Sequence, residues 1–500
     1  MKFEAIAEST LYNKLNAFAL NFYRDENGCD RLCKGNLSYG QLIGSAAVVF
    51  FASIYKEYYS LGNRLKSGER IAFNEKEHPI RLMIQKSFGE RLIDNRLPVI
   101  NDVLDRQHSH VPGYTRLSKY LSLLQAPMRF FEQSCKSLYL SDWTYRTLEG
   151  NIPGARFVNS RNLFRGAYLY PSKRYLGKAY DYLPSTIHKA DISKMLHEYS
   201  KLNMPLPDDL LELFAQYIVL YYDTNRPFFG KVLGLYEELL DRYSPESVYL
   251  PGELYEPYIL IRALCADKDI KTHLMIDGFS LLSYYPNLKV QSGDDFIFNQ
   301  YVAFGAAQVM DYKKKGLNSE KIEMRRWPVF DKYDVAVQYE KKYDCMVMSW
   351  IPLNTNPEAD LQSPSITMLD VVRVLKRKGY LEKKIAIKIK SSSELKYVSD
   401  LIQQENISAD ILTGMLYEHL PNVKMIIGGI SSAVAEARYC DIPYYIYEPV
   451  ENGYPDTVLL DSSVVTKSLV ARTIEELEYN LDHRQSFLLV DKKNLIYNTN

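Results

Sequence analysis

Three observations in the sequence predict an α/β protein with two Rossmann-like domains facing a cleft, preceded by a mainly helical N-terminal extension. From residue 247 onward, short apolar runs alternate with segments of helical periodicity, the pattern of a parallel sheet flanked by helices. The alternation comes in two blocks, parted by the charged stretch Lys332–Lys342, which reads as a linker. Finally, Lys424–Pro449 (KMIIGGISSAVAEARYCDIPYYIYEP) reads as a buried strand, a glycine turn, a small-residue helix and a second buried strand. Ligands of such sheets bind outside the carboxyl ends of the strands.

Residues 1–150 read as the helical region, with no assignable role. Tyr39–Leu61 has helical spacing, and Gln125–Leu140 reads as a further helix. The longest apolar run, Leu42–Tyr55, is about 14 residues against the roughly 20 needed to span a bilayer, so it reads as a buried helix. The N-terminus carries Glu4 and Glu8 and lacks the apolar core of a signal peptide. Ile152–Lys189, rich in Arg, Tyr, Gly and Pro, reads as loops. Pro207–Tyr243 has apolar residues at helical spacing, with Asp208 and Asp209 at its start.

Residues 151–335 read as the first, acceptor-side Rossmann-like domain. Ser247–Pro251 is a strand, Tyr255–Cys265 a helix, and His273–Ile276 a strand that stops at Asp277-Gly278. Asp295–Lys315 gives a strand and a helix, and Lys321–Met324 leads into the loop 325–331. Residues 336–485 read as the second, donor nucleotide-binding domain, with strands at Cys345–Ile351 and Ile385–Ile389, an extended segment at Ile411–Thr413, helices at Ser365–Lys378 and Ser393–Gln404, then the 424–449 unit. Val464–Lys467 and Thr473–His483 read as the last strand and helix, and 486–500 as a tail.

Lys and Arg total 61, as do Asp and Glu, so the whole-chain field offers no attraction for nucleic acid. The 41 tyrosines favour amphipathic, hydroxyl-bearing surfaces, sugar-facing or interfacial. Six cysteines are sparse for such a chain, and Cys29-x-x-x-Cys33 has no second pair. Free thiols in a cytoplasmic protein fit better than a zinc site. His108-Ser109-His110 has strand-like spacing but forms no recognisable ligand set, and Asp294-Asp295 is adjacent rather than spaced, so no metal site is expected.

Candidate chemistry gathers at three strand ends. Gly428 and Gly429 let the backbone turn and approach a ligand, and Ser431 or Ser432 can cap the next helix, whose N-terminus suits a phosphate. Asp277, with Gly278 beside it, ends a strand that should line the cleft. Lys388 and Lys390 alternate on a strand and so share a face, available to phosphate. Glu436 lies within the small-residue helix. Glu253 follows another strand end, and Arg325-Arg326 offers planar forks to a carboxylate or phosphate.

At these residues the chain resembles a family. The strand, Gly-x-Ser-Ser turn, helix with Glu436 and Asp441-Ile442-Pro443 before the next strand are similar to the donor-binding half of GT-B glycosyltransferases. Ile276-Asp277-Gly278-Phe279-Ser280-Leu281-Leu282-Ser283 resembles the Asp-Gly-Phe run of retaining β-Kdo transferases, bacterial capsule enzymes that use a CMP-activated keto-acid sugar. Tyr312-Lys313-Lys314-Lys315-Gly316, leading to Trp327–Asp331, resembles the interdomain passage of surface-carbohydrate transferases. The resemblance covers about 245–465 and departs twice: Ile276 stands at an acidic position, and Lys388-Ile389-Lys390-Ser391 stands where a His-Pro is expected.

The resemblance implies a GT-B-like fold and transfer of Kdo or a related sugar from a CMP donor to a glycan or glycolipid acceptor. Ser431 and Ser432 would hold the donor phosphate and Glu436 would meet a ribose. Asp277 would be the nucleophile of a retaining reaction or the base of an inverting one; the sequence leaves both open. A single donor phosphate makes little demand for a metal, so no cofactor or metal is implied. Such enzymes work in the cytoplasm at the inner membrane face, in peripheral contact with it. A transferase using UDP- or GDP-sugars, a catalytically inactive GT-B-like scaffold in polysaccharide assembly and a nucleotide-sugar epimerase stand as alternatives. The epimerase would need a histidine in the cleft, and His273 lies nearest a candidate strand end.

Overall fold

The structure, a computed structural model, describes residues 8–44, 46–47, 51, 54–55, 58–59, 134–141, 154–159, 173–252, 256–276, 297–314, 316–334, 340–349, 362–389, 395–449 and 469–497. The chain divides into two units, residues 1–145 with 149–274 and residues 146–148 with 275–500.

In the first unit, α1 (Glu8–Asn21) precedes a small antiparallel hairpin, β1 (Cys33–Lys34) and β2 (Leu37–Ser38). The described residues of the 39–59 stretch are helical, as the apolar run predicts, and Leu42, Ile43, Ala47, Phe51 and Ile54 are buried. Strands β3 (Ser137–Ser141) and β4 (Ala155–Asn159) follow, then α2 (Lys173–Tyr182), α3 (Lys189–Asn203) and α4 (Asp208–Tyr243). The last is one helix of 36 residues with Pro227 inside it. Asp208 and Asp209 lie in its first turn and Arg242 in its last, both favourable to the helix dipole. Phe214 of α4 stacks on Phe51 at 3.9 Å. Strand β5 (Ser247–Leu250), α5 (Glu256–Asp267) and β6 (Lys271–Leu274) complete this unit.

Strand β3 pairs in parallel with β4 and β5, and β5 with β6. Four rings stand opposite one another across these strands. Phe157, Tyr139, Tyr249 and His273 share one register row, with successive ring centroids 4.8, 4.3 and 4.3 Å apart. His273 is thereby a buried member of an aromatic stack.

The second unit opens with β7 (Gln300–Ala303), α6 (Ala306–Lys314) and β8 (Ile322–Met324), β7 and β8 being parallel. Within the first unit the strand order is β4-β3-β5-β6. A short helix, α7 (Asp331–Asp334), leads to β9 (Cys345–Met348), α8 (Gln362–Arg377), β10 (Ile385–Lys388), α9 (Leu395–Gln404) and β11 (Asp410–Leu412). Then come β12 (Ile426–Gly428), α10 (Ala433–Tyr439), β13 (Tyr444–Tyr447), β14 (Val470–Ala471), α11 (Ile474–Asp482) and α12 (Lys492–Leu495). The second sheet is parallel throughout, in the order β11-β10-β9-β12-β13-β14. Its core joins Val347, Ile387, Ile427 and Tyr445 to Val371, Val374 and Leu375 of α8. The chain end returns to α6: Tyr497 N–H donates to the Phe304 carbonyl at 2.7 Å, and a Cβ on Gly305 would lie 2.6 Å from Asn494 and Leu495 backbone.

Several sequence expectations need correction. Residues 137–140, expected at the end of a helix, form β3, because pairing with β4 and β5 overrides local propensity. The expected loops of 152–189 contain β4 and α2. Strand β4 is an edge strand, which tolerates Arg156 and Asn159 without an apolar run. Helix α2 is held by α4: Tyr180 lies against Gly230, and Arg226 sits over its ring at 4.9 Å. The expected linker begins as α7, with Tyr333 buried. Strand β14 lies at 470–471, whereas Val464–Lys467 falls outside the described residues.

Candidate functional site

In chain order the second sheet reads 3-2-1-4-5-6, so the winding reverses between β9 and β12. In sheets of this order, ligands bind outside the carboxyl ends of the two strands at the reversal. The 428–432 turn emerges there. Ile426 and Ile427 stand opposite Met346 and Val347 of β9.

Neither Gly428 nor Gly429 has a left-handed backbone. Gly428 is required by close approach: a Cβ there would collide with the Tyr444 hydroxyl and lie 2.8 Å from Met348 Cβ. Two side chains from β13 and its end hold the turn. The Tyr444 hydroxyl donates to the Gly429 carbonyl at 2.8 Å, and Ile430 N–H donates to Glu448 Oε2 at 3.1 Å. Glu448 is buried. Ser431 Oγ accepts the Ala433 N–H at 3.1 Å, so this serine caps α10, while Ser432 makes no side-chain cap bond. Helix α10 has only seven residues. Its dipole is correspondingly short, and the turn's place in the sheet is the stronger feature.

Glu436 is buried rather than on a helix surface. The Tyr333 hydroxyl, carried by α7, donates to Glu436 Oε2. Burial pushes the Glu436 carboxyl up to about 7, against smaller lowering effects of Tyr333 and the Lys388 charge. Lys388 closes β10, is itself buried, and donates to the Ile389 carbonyl.

Arg325 pairs with Glu323. Arg326 is committed to structure: one guanidinium nitrogen donates to Asp334 and to the Tyr439 hydroxyl at 2.6 Å, and Nε lies 3.5 Å from Asp331 Oδ1. Around it, Phe330 stacks on Tyr439 at 4.2 Å and Trp327 meets Phe330 edge-on at 5.4 Å. The segment 325–334 thus docks on α10. The chain end docks there too, through Lys492 Nζ on the Tyr439 carbonyl at 2.8 Å and Arg438 Nε on the Val490 carbonyl at 3.0 Å.

Of the predicted site residues, Gly428, Gly429, Ser431, Ser432, Glu436 and Lys388 belong to this carboxyl edge or the helix beside it. Arg325 and Arg326 flank it from the 325–334 segment. Asp277, Gly278, Lys390 and Glu253 lie outside the described residues, as does His108-Ser109-His110. Sequence reasoning missed Tyr333, Tyr444 and Glu448. A carboxylate directly after a buried strand was the available signal for Glu448; Tyr333 was hidden in a charged stretch. All six cysteines are free thiols.

No family model matches this chain, and no curated protein matches it in sequence. Among solved structures it is similar to UDP-GlcNAc 2-epimerase of Methanocaldococcus jannaschii, at 13% identity over 73% of this chain and 96% of that one, with a TM-score of 0.42. It is similar to a glycosyltransferase of Rickettsia africae, at 11% identity over 72% and 91%, TM-score 0.34. It also matches the wall teichoic acid polymerase TagF at 10% identity over 53% and 78%, TM-score 0.29. Likenesses this distant assign no activity.

Proposed function

We propose that this chain is a GT-B-like glycosyltransferase whose sugar-nucleotide donor lies at the 428–432 turn. The observation that carries the reading is the 3-2-1-4-5-6 order of the second sheet, with that turn at the reversal point. The Gly-x-Ser-Ser, Asp-Ile-Pro and Asp-Gly-Phe resemblances support it from the sequence. In this reading Ser432, which makes no cap bond, contacts the donor phosphate, and Asp277 acts as nucleophile or base toward the sugar. The donor is a CMP-activated keto-acid sugar and the acceptor a glycan or glycolipid. The work is done in the cytoplasm, in peripheral contact with the membrane and without metal. Among the described residues, no helix is long and apolar enough to cross a membrane.

A second reading, a UDP- or GDP-sugar donor, is favoured by one observation: the end of β10 carries buried Lys388 where the CMP-using family has its His-Pro. A thermal-shift panel of CMP, UDP and GDP separates the two, since a ligand that binds only the native state raises the melting temperature. A rise with CMP alone is expected. A rise with UDP or GDP alone moves the assignment to the second reading, and no rise with any of them overturns both. Asp277→Asn should abolish transfer while leaving the melting temperature unchanged; near-normal turnover removes Asp277 from either role.

A further inference from the structure

Helix α10 is held at its C-terminal end through Arg438 and Tyr439, but its earlier residues have little of their own to hold them in place. Its sequence is AVAEARY, seven residues, with Ala433, Val434, Ala435, Glu436 and Ala437 all buried. So short a helix has no stability apart from its packing. Three small alanine side chains grip weakly, and the polar contact at its centre is the Tyr333–Glu436 hydrogen bond. Tyr333 and Glu436 are only 7% and 9% exposed, so water competes poorly for that bond.

The donor comes ready-placed. Burial, and then the neighbouring Glu436, hold the Tyr333 hydroxyl protonated, which makes it the donor. Its backbone is fixed by the Arg326–Asp334 pair and by the Phe330 stack on Tyr439. On its other side, Tyr417, which follows β11, meets the Tyr333 ring edge-on at 6.5 Å. Glu436 sits one helical turn beyond Ser432, so an error in its position is passed to the turn that precedes it.

We propose that Tyr333 is a positioning residue for the 428–432 turn, acting through the carboxyl of Glu436. Its bearing on affinity rests on the reading of that turn as the nucleotide site. The 325–334 segment is then part of what shapes the site, although it supplies no group to the ligand.

The test uses the full chain and four proteins: wild type, Tyr333→Phe, Glu436→Ala and Glu436→Gln. Glutamine keeps an acceptor for the Tyr333 hydroxyl; alanine and phenylalanine remove one end of the bond. Hydrogen exchange at residues 430–435 should quicken about tenfold or more in Tyr333→Phe and Glu436→Ala, the size expected for one lost hydrogen bond, and stay slow in Glu436→Gln. Affinity for whichever of CMP, UDP or GDP the wild type binds should fall in the same two variants and be kept in Glu436→Gln. Unchanged exchange in Tyr333→Phe, or a Glu436→Gln protein that behaves like Glu436→Ala, overturns the proposal. Should Tyr333→Phe fail to fold, the alanine–glutamine pair decides alone. If the exchange pattern holds but wild type binds none of the three nucleotides, the nucleotide assignment falls and the positioning role stands.

Discussion

Replacing Glu436 by glutamine removes a titrating group from the interior while keeping the carbonyl that the Tyr333 hydroxyl can reach. Burial raises this carboxyl from 4.5 to about 7. The folded chain therefore holds the proton more tightly than the unfolded chain does. The stability contributed by this group is complete below about pH 4.5 and is lost as pH rises through about 7. The displacement corresponds to roughly 3 kcal/mol. Urea unfolding of both proteins at pH 5 and pH 8, followed by a probe in the second unit, measures the effect. Between those pH values the glutamine protein should gain about 2–3 kcal/mol over wild type, somewhat less than the full displacement because pH 5 already lies above the unfolded pKa, and beyond any constant offset from the amide itself. A wild-type-to-variant difference that is the same at both pH values refutes the burial argument.

Gly428→Ala should destabilise the second unit by about 1–3 kcal/mol, the usual cost of overpacking, because its Cβ meets Tyr444 and Met348; denaturant unfolding reads it. Glu448→Ala leaves the buried Ile430 N–H without its acceptor and should cost about 1–3 kcal/mol, with faster exchange of that amide. Ser431→Ala should lower stability by about 1 kcal/mol through loss of the α10 cap. Ser432→Ala should leave stability unchanged and weaken nucleotide binding in calorimetric titration; equal affinity in that variant removes Ser432 from the phosphate role.

The second sheet was largely legible in the sequence because its central strands are buried on both faces and read as unbroken apolar runs, such as Met425–Ile427 and Tyr444–Tyr447. The first sheet was harder. β3 and β4 are specified by their neighbours more than by their own residues, and RFVN at an edge carries no strand signature of its own. The turn at Gly428 was visible, but its reason was not: the glycine is needed for contact with Met348 and Tyr444, residues distant in sequence, rather than for a left-handed backbone. Glu436 was recognised as a site residue without its burial, which depends on Tyr333 arriving from a charged stretch that resembles a linker. Local composition cannot reveal a partner about a hundred positions away.

The row of rings through Phe157, Tyr139, Tyr249 and His273 has a further consequence for assembly. Side chains alternate faces along a strand, so a slip of one position at any of these pairings would carry one ring to the far side of the sheet and break the stack there. The row works as an alignment key that rewards only the correct offset among four strands, two of which have little sequence preference of their own. Replacing Tyr139 by a small residue should therefore harm the accuracy of strand pairing as well as stability, with misaligned chains accumulating during refolding.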